Sequence, residues 1–94
     1  FEMTPQPTAT LCFNLGFALA RNRSWNRALD RLEQADRLAP DNLSTLYYLG
    51  YVNENLRRYQ PALAAYSRAW EIGGKTDSEL KASIDRVAML LRQP

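Results

Sequence analysis

The chain contains no histidine and a single cysteine among its 94 residues. Without histidine it lacks the side chain that most often serves as a general base or a metal ligand, and no Ser-His or Cys-His pair can form. One cysteine can form neither an intramolecular disulfide nor a cysteine-based zinc site. Cys12 lies in the apolar run LCFNLGF, which favours a buried thiol over a nucleophile. We therefore expect no catalytic residue, no metal and no cofactor, and interpret the chain as a protein without enzymatic activity.

The chain also has a small net charge and no long apolar run. The formal net charge is +2, which is too small to indicate a nucleic-acid-binding domain by itself. No run approaches the roughly 18 apolar residues of a membrane span, and FEMTPQPT has neither the basic start nor the apolar core of a signal peptide. We expect no membrane insertion, and the sequence indicates no cellular compartment. Since residue 1 is Phe, we consider that the chain is a segment of a longer protein.

The sequence repeats itself after 34 residues. LGFALARNRSW begins at residue 15 and LGYVNENLRRY begins at residue 49. When residues 9–42 are aligned with 43–76, the identical pairs are Leu15/Leu49, Gly16/Gly50, Arg23/Arg57, Ala28/Ala62, Leu29/Leu63 and Ala35/Ala69. A fixed period of this length is typical of helical repeat proteins, whose units stack because one unit cannot bury its apolar face alone.

Each unit has the apolar spacing of two helices. The first half of unit one carries an apolar helical pattern, and its second half resumes that pattern after the polar interruption RNRSW. The residues of these two patterns are Leu11, Leu15, Ala18 and Leu19, then Trp25, Ala28, Leu29, Leu32 and Ala35. A helical glycine costs about 1 kcal/mol against alanine. Its recurrence at Gly16 and Gly50 therefore indicates closely packed helices, with Leu15 and Leu49 facing the interior.

These positions carry a resemblance to the tetratricopeptide repeat (TPR) family. The matching residues are Cys12, Leu15, Gly16, Leu19, Ala28, Leu32, Ala35 and Pro40 in unit one, and Leu46, Leu49, Gly50, Ala62, Tyr66 and Ala69 in unit two. The resemblance implies an all-α fold of tandem antiparallel helix-turn-helix repeats, forming a short right-handed α-solenoid of about five helices. Asn53 and Gly74 depart from the family pattern, which favours a looser margin in the second unit.

The expected organisation is a tail or linker at residues 1–8, repeat units at 9–42 and 43–76, and a C-terminal capping helix within 77–94. Thr76 and Glu79 have the spacing of a capping box at the start of that last helix. Its apolar stripe consists of Leu80, Ile84, Val87 and Leu91.

The resemblance also implies a function, because the first helices of such repeats line a concave groove that holds peptides or protein segments. Counting from Leu15 and Leu49, the expected groove residues are Phe13, Asn14, Phe17, Tyr47, Tyr48, Tyr51, Glu54 and Asn55. For Phe13 and Phe17, packing between helices is an equally weighted alternative. The carboxylate clamp of one family variant is absent, since its places hold Phe13, Phe17, Tyr48, Ser78 and Ala82. We therefore expect an apolar or extended protein partner, and the groove is similar to those of bacterial secretion chaperones of this repeat class.

Arginines at the turns form a second candidate site for an anionic contact, comprising Arg21, Arg23, Arg57 and Arg58. Solvated turn charge is the favoured interpretation. An RNA-binding helical repeat is the nucleic-acid alternative, although two units are few for that role. A further alternative is an assembly segment of a larger solenoid that self-associates through the aromatic face, which an exposed surface around Leu11 and Cys12 would support.

Overall fold

Five helices make up the computed structural model, which describes residues 7–73 and 75–93. They are α1 (Ala9–Arg21), α2 (Trp25–Leu38), α3 (Leu43–Asn55), α4 (Tyr59–Ile72) and α5 (Ser78–Arg92), and no strand occurs in the described residues. Each helix packs against the next one in the chain, and α1 also contacts α3. The expected all-helical solenoid of paired helices is confirmed. None of the helices in the described ranges is long and apolar enough to cross a membrane.

The first helix of each pair begins with a side-chain cap. Thr8 Oγ1 accepts a hydrogen bond from the Leu11 amide at 3.0 Å, and Asn42 Oδ1 accepts one from the Thr45 amide at 3.1 Å. These caps satisfy amide groups that have no partner inside the helix. The fifth helix follows the same rule with a different residue: Asp77 Oδ1 accepts from the amides of Glu79 and Leu80, at 3.0 and 3.2 Å.

The expected capping box of Thr76 with Glu79 is therefore wrong. The N-cap is Asp77, and α5 begins at Ser78, one residue later than the repeat spacing predicts. A carboxylate is among the strongest N-cap acceptors, and its charge also interacts favourably with the helix dipole. Asp77 therefore displaces the hydroxyl of Thr76 from this role. Leu91 in the predicted stripe is also exposed, while Leu80 and Val87 are buried as expected.

The turns repeat in their backbone geometry as well as in sequence. Arg23 and Arg57, at the turn inside each pair, have φ angles of 60° and 61°. Asp41 and Lys75, after each pair, have φ angles of 63° and 65°. Non-glycine residues in this left-handed region cost roughly 1–2 kcal/mol each. Both units make the same reversal at the same two places, although none of the four residues is the glycine that such a conformation favours.

Within each pair, the helices approach closely at a glycine. A Cβ atom at Gly16 would lie 2.7 Å from Leu32 Cγ, and one at Gly50 would lie 2.5 Å from Tyr66 Cδ1. Leu32 and Tyr66 are both fully buried, so the large side chain of the second helix lies directly over the glycine of the first. The inference of close packing from the recurring glycines is therefore confirmed.

The buried core runs through the interfaces between consecutive helices. Its largest fully buried side chains are Tyr66, Leu32, Leu46, Val52, Val87 and Cys12. Cys12 is buried, as expected from its apolar run. Asn53 is buried too, and its side-chain amide donates a hydrogen bond to the Leu49 carbonyl at 2.9 Å. Asn53 departs from the family pattern, and its buried amide is satisfied by a hydrogen bond to the backbone of its own helix.

The prediction that Leu15 and Leu49 both face the interior is wrong for Leu15. Leu49 is 7% exposed because α2 covers α3, whereas Leu15 is 41% exposed. No helix lies before α1 in the described part of the chain to cover the equivalent face. Leu11 is likewise 49% exposed, but Cys12 beside it is buried. The exposed surface expected at this end therefore includes Leu11 and does not include Cys12.

We predict that Gly50→Ala lowers the free energy of unfolding by about 1–3 kcal/mol, the cost of overpacking a rigid core. The new methyl group meets the buried Tyr66 ring, which has few alternative rotamers. At Gly16 the new methyl group meets Cγ of the fully buried Leu32, so we expect Gly16→Ala to be destabilising as well. Urea unfolding followed by circular dichroism measures both. A Gly50→Ala protein as stable as the wild type would contradict the close approach.

Candidate functional site

Five aromatic side chains form one continuous cluster on α1 and α3, which we call the aromatic groove. They are Phe13, Phe17, Tyr47, Tyr48 and Tyr51. Tyr48 lies at the centre, with its ring centroid 5.8 Å from Phe13, 5.1 Å from Phe17, 5.2 Å from Tyr47 and 6.1 Å from Tyr51. All four contacts are edge-to-face, the arrangement that the charge distribution of aromatic rings favours.

The rings of this cluster pack against one another and are also partly exposed. Phe13, Phe17, Tyr47 and Tyr48 are half-buried and Tyr51 is 37% exposed. The rings of α1 contact the rings of α3, so they stabilise the alignment of the two helices. Tyr51 also packs edge-to-face against Trp25 of α2, and Tyr47 packs against Tyr66 of α4, so part of the surface of these two rings is covered. The five aromatic residues expected in the groove therefore lie together in space, and the alternative of ring packing between helices also describes part of their surface.

Two depressions flank the paired rings of Tyr47 and Tyr48. The smaller has a volume of about 220 Å³ and is lined by both tyrosines together with Phe17, Arg21 and Tyr51. The larger has a volume of about 410 Å³ and lies among α3, the end of α4 and the start of α5. Its lining residues include Leu43, Ala69, Asp77 and Leu80, besides the two tyrosines. Because Tyr47 and Tyr48 line both depressions, their rings form the ridge between them.

Of the four candidate arginines, Arg21 is the one that lines a depression beside the aromatic groove. The Arg21 guanidinium carbon lies 5.7 Å from the centroid of the Phe17 ring, within the range of a cation–π interaction, and Arg21 lines the smaller depression. Arg23, Arg57 and Arg58 are exposed at the turns and line neither depression. The structure therefore associates Arg21 with the aromatic groove and places the other three with the solvated turns.

Glu54 is held by side chains of two other helices. Its Oε2 atom lies 2.6 Å from Arg86 Nε, and its Oε1 atom accepts hydrogen bonds from Arg86 Nη2 at 2.9 Å and from the Tyr66 hydroxyl at 3.0 Å. This bidentate arrangement is the strong form of a carboxylate–guanidinium pair. The carboxylate predicted to face the groove thus connects α3 with α4 and α5.

The electrostatics of this network follow from its hydrogen bonds and burial. The hydrogen bonds from Arg86 lower the pKa of Glu54 below its ordinary value, with a further contribution from Tyr66. Burial raises the pKa of Tyr66, and the adjacent charge of Glu54 raises it further. Burial also raises the pKa of Tyr47, followed by the charge of Glu79. At neutral pH the carboxylate is therefore ionised and both tyrosines keep their hydroxyl protons.

The two asparagines predicted to face the groove differ in their hydrogen bonds. Asn55 Nδ2 donates a hydrogen bond to the Tyr51 carbonyl at 2.8 Å, which fixes its amide against its own helix. Asn14 is exposed on α1. Among the described residues, no group of three or more cysteine, aspartate or glutamate side chains is arranged to hold a metal ion. The groove is thus an apolar, aromatic surface with a cation at one side.

Comparison with profiles of known protein families gives no match. Among curated proteins, Anaphase-promoting complex subunit 3 of Schizosaccharomyces pombe is 32% identical over 62 residues, which is 66% of this chain and 9% of that protein. The chain therefore corresponds to only a small part of this relative. The partial match and the five helices, each packed against the next in the chain, together fit a TPR-like helical repeat.

We predict that Glu54→Gln lowers the free energy of unfolding by about 1–2 kcal/mol at pH 7, within the range for hydrogen bonds to charged groups at partly exposed sites. Because the folded pKa of Glu54 is lowered, its contribution is present above the ordinary pKa, near 4.3, and is lost as the pH falls through the folded value. The difference between wild type and variant shrinks accordingly in acid.

Urea unfolding at a series of pH values between 7 and 3 measures this dependence. Glu33→Gln is the matched control, since Glu33 is exposed and makes no ion pair in the described part of the chain. A difference between Glu54→Gln and wild type that stays constant with pH would contradict the role assigned to the Arg86 pair.

Proposed function

We propose that this chain is a protein-interaction module that holds a peptide or protein segment in the aromatic groove. The observation that carries the proposal is the partly exposed five-ring cluster across α1 and α3, with a depression on each side of its central ridge. The partial match to a protein named as a subunit of a complex supports a helical repeat that acts through protein contacts. In this proposal the chain serves as a scaffold or a chaperone-like adaptor.

The expected strength follows from the area that a ligand would cover. Covering roughly 500 Å² of apolar surface contributes about 12 kcal/mol at 25 cal/mol per Å². Association costs of at least about 4 kcal/mol leave a net value near 8 kcal/mol, which corresponds to a micromolar dissociation constant. Such an affinity suits a reversible adaptor.

The polar groups around the groove favour an apolar ligand. Glu54 already hydrogen bonds within the protein through both carboxylate oxygens, whereas Asn55 uses one amide hydrogen on its own helix and keeps its other polar atoms. The tyrosine hydroxyls and the exposed Asn14 remain as groups that pair with a peptide backbone in this proposal. Glu54 then acts as a positioning residue that fixes α5 beside α3, and it does not contact the ligand.

A random dodecapeptide phage library selected on the wild-type chain tests the proposal. We expect the selected peptides to bind with micromolar affinity in a fluorescence anisotropy assay, and to lose at least about ten-fold in affinity to Tyr48→Ala and to Tyr51→Ala, because each truncation removes a buried ring contact. The helical circular dichroism signal verifies that both variants fold.

The matched control is Leu38→Ala, which truncates an apolar side chain that is 49% exposed on α2, outside the groove. We expect this variant to bind like the wild type. Selected peptides that bind all three variants with equal affinity would overturn the groove as the binding site.

Self-association is a second candidate function, favoured by one specific observation. Leu11 and Leu15 are 49% and 41% exposed on α1, on the side away from the aromatic rings. A second copy of the chain would cover this surface as α2 covers Leu49. In light scattering over a range of concentrations, a dimer that Leu15→Gln dissociates would support this function, and a monomer at all concentrations would exclude it.

A further inference from the structure

The smaller depression beside the aromatic groove combines aromatic walls with one cation. Its lining residues are Phe17, Ala20, Arg21, Tyr47, Tyr48 and Tyr51. Most of them carry a ring, and none is acidic. A cavity of about 150 Å³ accommodates a benzene-sized molecule. With a volume of about 220 Å³, the depression is therefore large enough for one aromatic side chain, which its walls can meet edge-to-face as Tyr48 already meets Phe17.

Arg21 is the cation of this depression, and its guanidinium lies over a ring. The guanidinium carbon is 5.7 Å from the centroid of the Phe17 ring. No carboxylate of residues 7–73 and 75–93 lies within 4.0 Å of an Arg21 nitrogen. A guanidinium that contacts a ring through its face keeps its N–H groups at the edge, where they can pair with a carboxylate. The depression therefore offers a place for one carboxylate beside a place for one ring.

The larger depression carries the opposite charge. Asp77 lines it, and Glu79 follows in the first turn of α5. Neither carboxylate makes an ion pair in the part of the chain that the structure describes. Asp77 is stabilised instead by the amides that it caps. Because like charges repel, a carboxylate on a ligand is favoured beside Arg21 and disfavoured at the larger depression.

The surroundings of Arg21 suit the carboxylate of an acidic side chain better than that of a chain end. Chain-terminal carboxylates are captured in clusters of backbone amides. All residues that line the smaller depression lie inside α1 or α3, where each amide already bonds to the carbonyl four residues earlier. Arg21 is also the only cation among those lining residues. One exposed guanidinium forms the kind of pair that Asp and Glu side chains make at protein surfaces.

We propose that the smaller depression binds an aromatic side chain of a partner protein, and that Arg21 pairs with an acidic residue next to that side chain in the partner's chain. Consecutive Cα atoms are about 3.8 Å apart, so a residue beside the bound ring brings its carboxylate to the edge of the same depression. This inference rests on the proposed function and specifies which residues of the bound segment enter this part of the aromatic groove.

Blocked dipeptides test the inference in the absence of a charged chain end. The probes are acetyl-Asp-Phe-amide and acetyl-Phe-Asp-amide, which place the carboxylate on either side of the ring. Each probe has two controls, one with Asn in place of Asp and one with Ala in place of Phe. Titration of the ¹⁵N-labelled chain, followed through backbone amide shifts, gives the dissociation constants.

We expect the better probe to bind about three-fold more tightly than its Asn control, as for an exposed ion pair. We expect it to bind at least about ten-fold more tightly than its Ala control, because the ring supplies the buried apolar area. Its largest shifts are expected at Arg21 and Tyr51, which line the smaller depression, and not at Leu43 and Leu80, which line the larger one.

Variants of Arg21 test the charge. Arg21→Gln is expected to remove the three-fold preference for Asp over Asn. Arg21→Glu is expected to reverse it, so that the same dipeptide with Lys in place of Asp binds more tightly than the Asp probe. Arg23→Gln is the control variant, because Arg23 is an exposed arginine outside both depressions, and we expect it to keep the preference of the wild type. The helical circular dichroism signal verifies that all three variants fold.

The outcomes separate this inference from the proposed function. Dipeptides that do not bind, equal affinity for the Asp and Asn peptides, or a preference for Asp that Arg21→Gln retains would overturn the inference. N-acetylphenylalanine that binds more tightly than both probes would assign Arg21 to a chain end and overturn it as well. In each case the groove stands if library-selected peptides lose affinity to Tyr48→Ala. If no selected peptide distinguishes Tyr48→Ala from the wild type, the proposed function is overturned too.

Discussion

The contact between a glycine on the first helix of each pair and a large buried side chain on the second is the constraint on which the rest of the structure depends. At Gly50 there is no room for even a methyl group against the Tyr66 ring, and at Gly16 the same holds against Leu32. This contact brings the two backbones together and lets the second helix cover the first helix of the next pair. Because it recurs after 34 residues, α1 and α3 lie side by side with the same face outward. A continuous aromatic surface follows from that alignment.

The surroundings of the aromatic groove also depend on the hydrogen bonds of Glu54, which connect α3 with α4 and α5. Glu54 binds Arg86 of α5 through both oxygens and accepts a hydrogen bond from the hydroxyl of Tyr66, which is the residue that packs on Gly50. One tyrosine therefore belongs to both the close contact and the network that fixes α5. This link ties the middle of α5 to the end of α3, while the first turns of both helices line the larger depression. Packing thus determines which surfaces remain for a ligand, namely partly exposed rings and one arginine.

Much of this fold was predictable from sequence because the same pattern of residues occurs in both units. The paired helices, the close contacts at Gly16 and Gly50 and the burial of Cys12 follow from local spacing. What sequence reasoning missed depends on neighbours outside the local pattern. Leu15 and Leu49 are identical in sequence, but only Leu49 has a preceding helix to cover it. The Glu54–Arg86 pair joins residues 32 positions apart, a separation with no sequence signal. Arg21 differs from the other turn arginines in lying over the Phe17 ring and in lining the smaller depression, which its sequence position does not show.

Nuclear magnetic resonance mapping tests the central claim, that the face of α1 and α3 carrying the rings is the binding surface of this repeat. The measurement is a titration of the ¹⁵N-labelled chain with the tightest selected peptide, followed through backbone amide shifts. The account predicts that the largest shifts occur at Phe17, Arg21, Tyr48 and Tyr51, with little change at the exposed residues of α2. Largest shifts at Leu11 and Leu15, or at Arg57 and Arg58, would contradict it and place the binding surface at the end of the stack or at its turns.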